Sequence, residues 1–217
     1  MADVAHILAG LKTRHIGTGD GVSWDAPVGW GLDSLLGRLT ELTAHRAPAV
    51  LSAAMHLVRE AQQREEPTVW ITPPQSLFYP PDVAAMGIDL AALTVVQVPF
   101  AAMAKAADRV IRSGGFGLVV LDLVLPKGGR QAPSQGSNGW LSRLGGLAKR
   151  HDTAVLFLTH GMEPRPPMGT LISLRGEAER EREENGGFAF ALRITKDKRG
   201  APGQRRREPC YAPAGLY

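Results

Sequence analysis

The sequence predicts a single α/β domain, with a mainly parallel central sheet flanked by helices and an antiparallel hairpin at its C-terminal end. Three observations lead there. From Gly37 onward, short apolar runs alternate with stretches of helical length and period, the pattern of successive strand–helix units. The runs are continuous and rich in Val, Leu and Ile, as suits strands covered on both faces. Asn185-Gly186, a strong turn signal, separates two further strand-like stretches. With 217 residues, 44% of them hydrophobic, and a mean hydropathy of -0.09, the chain suits one core with short tails.

In order, Asp3 to Leu11 places Val4, Ile7, Leu8 and Leu11 at helical spacing, which predicts a short amphipathic helix within residues 1–16. Such a helix either covers the sheet of its own domain or reaches a neighbour. A glycine-rich stretch follows, from Gly17 to Gly31. The core runs over residues 17–204, with strands expected at Arg38–Leu42, Thr68–Thr72, Leu93–Val98, Leu118–Val124 and Ala154–Thr159. Crossover helices are expected at Pro48–Gln63, Ala101–Arg112 and Trp140–Lys149, with Asn138 as a cap. Leu171–Arg182 and Phe188–Thr195 form the hairpin, although the alternating Glu and Arg residues of 179–183 also suit a solvated helix. The Gly/Pro/Ser-rich stretch Pro126–Ser137 and the proline-rich Gly161–Gly169 fall at C-terminal strand ends, where open α/β sheets bind ligands.

Charge and cysteine content narrow the function classes. No apolar run reaches the length of a membrane span and no secretion signal is recognisable, so a cytoplasmic protein is expected. One cysteine, Cys210, makes neither an internal disulfide nor a cysteine metal cluster, and the six histidines form no metal-binding pair. A metal site is not expected. The formal charge is +4, and much of it sits in Lys196, Lys198 and Arg199 followed by Arg205, Arg206 and Arg207. Such a patch contacts nucleic acid or an acidic protein surface, or else forms a basic, flexible tail over 205–217 that keeps the chain soluble.

Five pieces in order resemble the RecA recombinase core. Gly37-Arg-Leu-Thr-Glu-Leu42 is similar to the strand that enters that family's phosphate loop. Met86-Gly-Ile-Asp-Leu90 with Leu93–Pro99 resembles a turn and the next strand, and Leu118-Val-Val-Leu-Asp122 its Walker B strand. Val155–His160 is similar to its switch strand, and Ile194–Gly200 to its lysine-bearing segment. The resemblance covers residues 17–204 and implies a RecA-like core.

The departures from the family pattern carry the functional expectation. A phosphate loop needs glycines that let backbone N–H groups close on phosphate, a lysine that offsets its charge and a hydroxyl that holds Mg²⁺. Here Ala44 and Ala49 replace the glycines, Val50 the lysine and Leu51 the hydroxyl, while Pro48 removes an N–H. The family's catalytic glutamate falls at Gln75, which cannot act as a general base. Asp122 remains at the Walker B position and is read as a structural acid. These changes predict a chain without enzymatic activity or a bound cofactor. A divergent ATPase would need a substitute cation, for which Lys127 and Arg46 are the candidates.

A RecA-like chain of this size, with an eroded phosphate loop and a proline pair after its second strand, most resembles the ImuA family. That resemblance implies an accessory or adaptor protein of SOS-induced translesion synthesis. Its partners would be RecA, ImuB with an error-prone replicative-type DNA polymerase, and DNA. In the RecA family the lysines corresponding to Lys196 and Lys198 face the nucleotide of a neighbouring subunit. Lys127 and Arg130 stand in a loop that resembles the first DNA-binding loop, and His160 is either a nucleic-acid contact or a plain loop residue. The alternative to the adaptor is a sequence-independent DNA-binding module built on these same cations, without aromatic residues to stack bases.

Overall fold

The computed structural model describes residues 29–45, 48–76, 78–124, 139–160, 167–182, 188–200, 203 and 205–210. The expected N-terminal helix, Arg46, Lys127, Arg130, the Asn138 cap and the Asn185-Gly186 turn lie outside them. Within them stands an α/β domain with an eight-stranded sheet. Its strands are β1 (Leu39–Thr43), β2 (Thr68–Thr72), β3 (Leu93–Gln97), β4 (Leu118–Asp122), β5 (Ala154–Leu158), β6 (Leu174–Arg182), β7 (Phe188–Asp197) and β8 (Arg205–Cys210). They lie in the order β3-β2-β4-β5-β1-β6-β7-β8. From β3 to β6 all pairings are parallel, whereas β6–β7 and β7–β8 are antiparallel.

The helices are α1 (Leu32–Leu35), α2 (Val50–Gln63), α3 (Pro80–Ala85), α4 (Phe100–Ser113) and α5 (Gly139–His151). Side chains alternate across a strand, so each interior strand feeds two cores. On one face Leu42, Trp70, Val120 and Leu156 pack with Ala54, Leu57 and Val58 of α2. On the other, Val69, Val119, Val155 and Phe157 meet Met103, Ala107 and Ile111 of α4 and Leu141, Leu144 and Ala148 of α5. That double cover is why β1, β2, β4 and β5 are buried along their whole length. β3, at the edge, is mostly exposed.

The expected strands and crossover helices sit where the periodicity places them, with ends shifted by at most three residues. The stretch 179–182, for which a solvated helix also stood open, is strand. Arg205–Cys210, at the start of the basic stretch, form the edge strand β8, in register with β7 from Arg193↔Arg205 to Phe188↔Cys210. In sequence its three adjacent cations read as a solvated run, and their partners lie far back in the chain. Trp30 is buried against β6, where Gly176 makes room for it: a Cβ there would stand 2.7 Å from the Trp30 Cζ3.

Candidate functional site

The C-terminal ends of β1, β2, β4 and β5 form the edge where a parallel sheet normally receives a ligand. Pro48 makes an isolated antiparallel bridge to Glu179, and the Ala49 N–H donates to the Ala178 carbonyl at 3.1 Å. The turn after β1 is thereby tied to β6. Ala44, Ala49 and Val50 are buried in the core, and Leu51 packs against it. Helix α2 begins on Val50 with Ala49 as its cap residue, no side-chain cap and no acid in its first turn. One N–H that would face an anion is spent on β6, and a lysine at position 50 would have to enter apolar packing.

Asp122 ends β4 fully buried. Ser76 Oγ donates to its Oδ2 at 2.7 Å, Thr72 Oγ1 to the same oxygen at 3.2 Å, and the Val124 N–H to Oδ1 at 3.1 Å. Ser76 Oγ also accepts from the Phe78 N–H at 2.9 Å, so the acid clamps the turn after β2. Burial pushes the Asp122 carboxyl above its usual range, against the pull of these donors. Gln75, beside Ser76, is exposed. The sequence thus brings Asp122 and the region of Gln75 together, but the acid's hydrogen bonds run inward.

The lysine-bearing segment is largely occupied within the chain. Lys198 Nζ donates to the Thr170 carbonyl at 2.6 Å, and the Arg199 N–H to Asp197 Oδ1 at 2.9 Å. Asp197 pairs with Arg38, which also donates to the Ser173 hydroxyl and carbonyl and to the Ser34 carbonyl. Burial would raise the Asp197 carboxyl, but the Arg199 N–H and Arg38 hold it below the usual range. Lys196 is half-buried, and burial with Lys198 nearby lowers its pKa. His160, half-buried after β5, has a buried Nδ1 without a hydrogen-bond partner among the described residues.

Charges inside the sheet went unpredicted. Glu41, 2% exposed in the middle of β1, accepts from Thr159 Oγ1 at 2.9 Å and the Met168 N–H at 3.1 Å, and its Oε2 lies 3.4 Å from Arg175 Nε. Beside it, His45 Nε2 lies 3.3 Å from Glu177, whose other oxygen meets Arg193 at 2.5 Å. Burial would raise the Glu177 carboxyl, but Arg193 and His45 hold it low. The available signal was an acid inside a strand otherwise buried on both faces, since such a group needs a partner.

The basic patch is also less free than its sequence suggests. Arg205 pairs with Glu181, and Arg207 Nε lies 3.4 Å from the same carboxylate. Arg206 belongs to β8, and its side chain lies outside the described residues.

No family model and no curated protein matches this sequence. The function therefore has to be read from the chain's own residues. Among the described residues no three His, Cys, Asp or Glu side chains come together in a metal-binding arrangement, and no helix is long and apolar enough to cross a membrane.

Proposed function

We propose that the chain is a non-catalytic accessory protein with a RecA-like core, akin to the ImuA family. In this reading it serves SOS-induced translesion synthesis by binding RecA, the ImuB polymerase assembly, or both. The observation that carries the reading is the turn after β1, where Ala49 is bonded to β6 and Ala44, Ala49 and Val50 are buried. A loop filled in this way favours binding partners over hydrolysing a nucleotide. The parallel sheet with an antiparallel C-terminal extension agrees with the RecA-like part. Pairing of Arg205 and Arg207 with Glu181 favours the protein-directed role over a plain DNA-binding module, because those cations already have an acid.

The test is a pull-down of purified RecA and ImuB by this protein, with and without ATP, beside calorimetric titration with MgATP. Capture of RecA or ImuB without heat of nucleotide binding is expected. Lys196→Ala with Lys198→Ala should weaken RecA capture if the lysine segment forms the contact. Measured ATP turnover, or capture of single-stranded DNA with neither protein retained, overturns the adaptor.

A further inference from the structure

One face of the antiparallel extension forms a charged trough. On β6, Glu177, Glu179 and Glu181 point to the same side, and on β7 their cross-strand neighbours are Arg193, Ala191 and Ala189. On β8 the next row is Arg205, Arg207 and Pro209. The two alanines are 8% and 1% exposed, small enough for arginines of β8 to reach over them. Both described arginine side chains reach across β7 to one acid, Glu181, two strands away. The cleft between, about 230 Å³, is lined by Glu177, Glu179, Glu181, Ala191, Arg193 and Arg205.

From this geometry we propose that β8 is an electrostatically latched strand, held down through the Glu181 carboxylate that Arg205 and Arg207 share, whose release uncovers the edge of β7. The sequence Arg-Arg-Arg-Glu-Pro-Cys brings no large apolar side chain to anchor it, and Pro209 has no N–H to donate to a ladder. Main-chain pairing to β7 and the Gly203 N–H bond to the Ile194 carbonyl at 2.8 Å remain, and a terminal two-strand pairing of that kind opens readily. The ion pairs are solvent-facing, so salt screens them. The latch is independent of the function proposed above.

Hydrogen exchange of the full chain, followed by mass spectrometry, tests it. In Glu181→Gln, exchange over 205–208 and the β7 residues opposite should rise about fivefold, while β2, β4 and β5 stay protected. Molar salt should do the same to the native chain, and Glu179→Gln should not. Reversing both signs, with Glu181→Arg, Arg205→Glu and Arg207→Glu, should restore protection. Native exchange in Glu181→Gln, an equal effect of Glu179→Gln, or loss of protection that spreads to β5 overturns the latch.

Discussion

The two halves of the sheet handle burial in opposite ways. Across β2, β4 and β5 the interior is almost wholly apolar, with Trp70, Ile71, Val120, Leu121, Leu156 and Phe157 at or below 1% exposure and Asp122 as the acid at the end. Across β1, β6 and β7 it is threaded with charge: Arg38 with Asp197, Glu41 with Arg175, and His45 with Glu177 and Arg193. An apolar core tolerates small changes of shape, whereas a buried ion pair is weak support that becomes a large liability once one partner is lost. The charged half is therefore where this fold should be most sensitive to single changes and to pH.

Removing one charge should separate the halves most clearly. Arg38→Met leaves Asp197 buried without its cation and should destabilise by about 3–5 kcal/mol in denaturant unfolding at neutral pH. The pH dependence has a definite sign. Because the folded Asp197 carboxyl is held low, its contribution is present above the unfolded value of about 3.9 and lost as pH falls through the lower folded value. The native chain's advantage over the variant should shrink below about pH 4. Leu156→Ala, in the apolar half, should cost about 3 kcal/mol with no such dependence. Equal pH profiles for the two variants would erase the contrast.

Gly176→Ala sharpens the boundary between the halves. The added methyl meets the Trp30 ring and Leu192, and overpacking of this kind costs about 1–3 kcal/mol. Combining it with Trp30→Leu should recover part of the loss, as a double-mutant cycle would register. The smallest effect is expected at Asp122. Its folded carboxyl is raised, so the stability tied to its protonated form is present below the unfolded value and lost as pH rises through the folded one. Asp122→Asn should therefore gain on the native chain as pH rises from below the unfolded carboxyl value of about 3.9, in paired unfolding curves at about pH 3 and pH 8.

The apolar half was legible because its signals are local. Val119-Val120-Leu121 and Val155-Leu156-Phe157-Leu158 read as strands buried on both faces, and the α4 pattern Met103, Ala107, Ile111 reads as one face of a helix. The turn after β1 was legible in composition but not in placement. Nothing in Ala44–Val50 announces that Ala49 will hydrogen-bond to Ala178, which is 129 positions away. The charged half was missed for the same reason. Glu41 and Arg175, Arg38 and Asp197, and Arg205 and Glu181 are each brought together by strand order, and a strand order is not written in any one segment. The short helices α1 and α3 gave too few turns for a period to emerge.

The bridge from Ala49 to β6 also bears on what this chain could become. Placing a lysine at position 50 would push an ammonium group into the packing of α2 against the sheet, and placing glycines at 44 and 49 would leave holes where methyl groups now fill the core. Each single step toward a phosphate cradle weakens the domain before any anion is gained. A path to such a cradle needs coordinated change in the turn and in β6 at once, so the packing at this point narrows what the protein's evolution can reach by single steps.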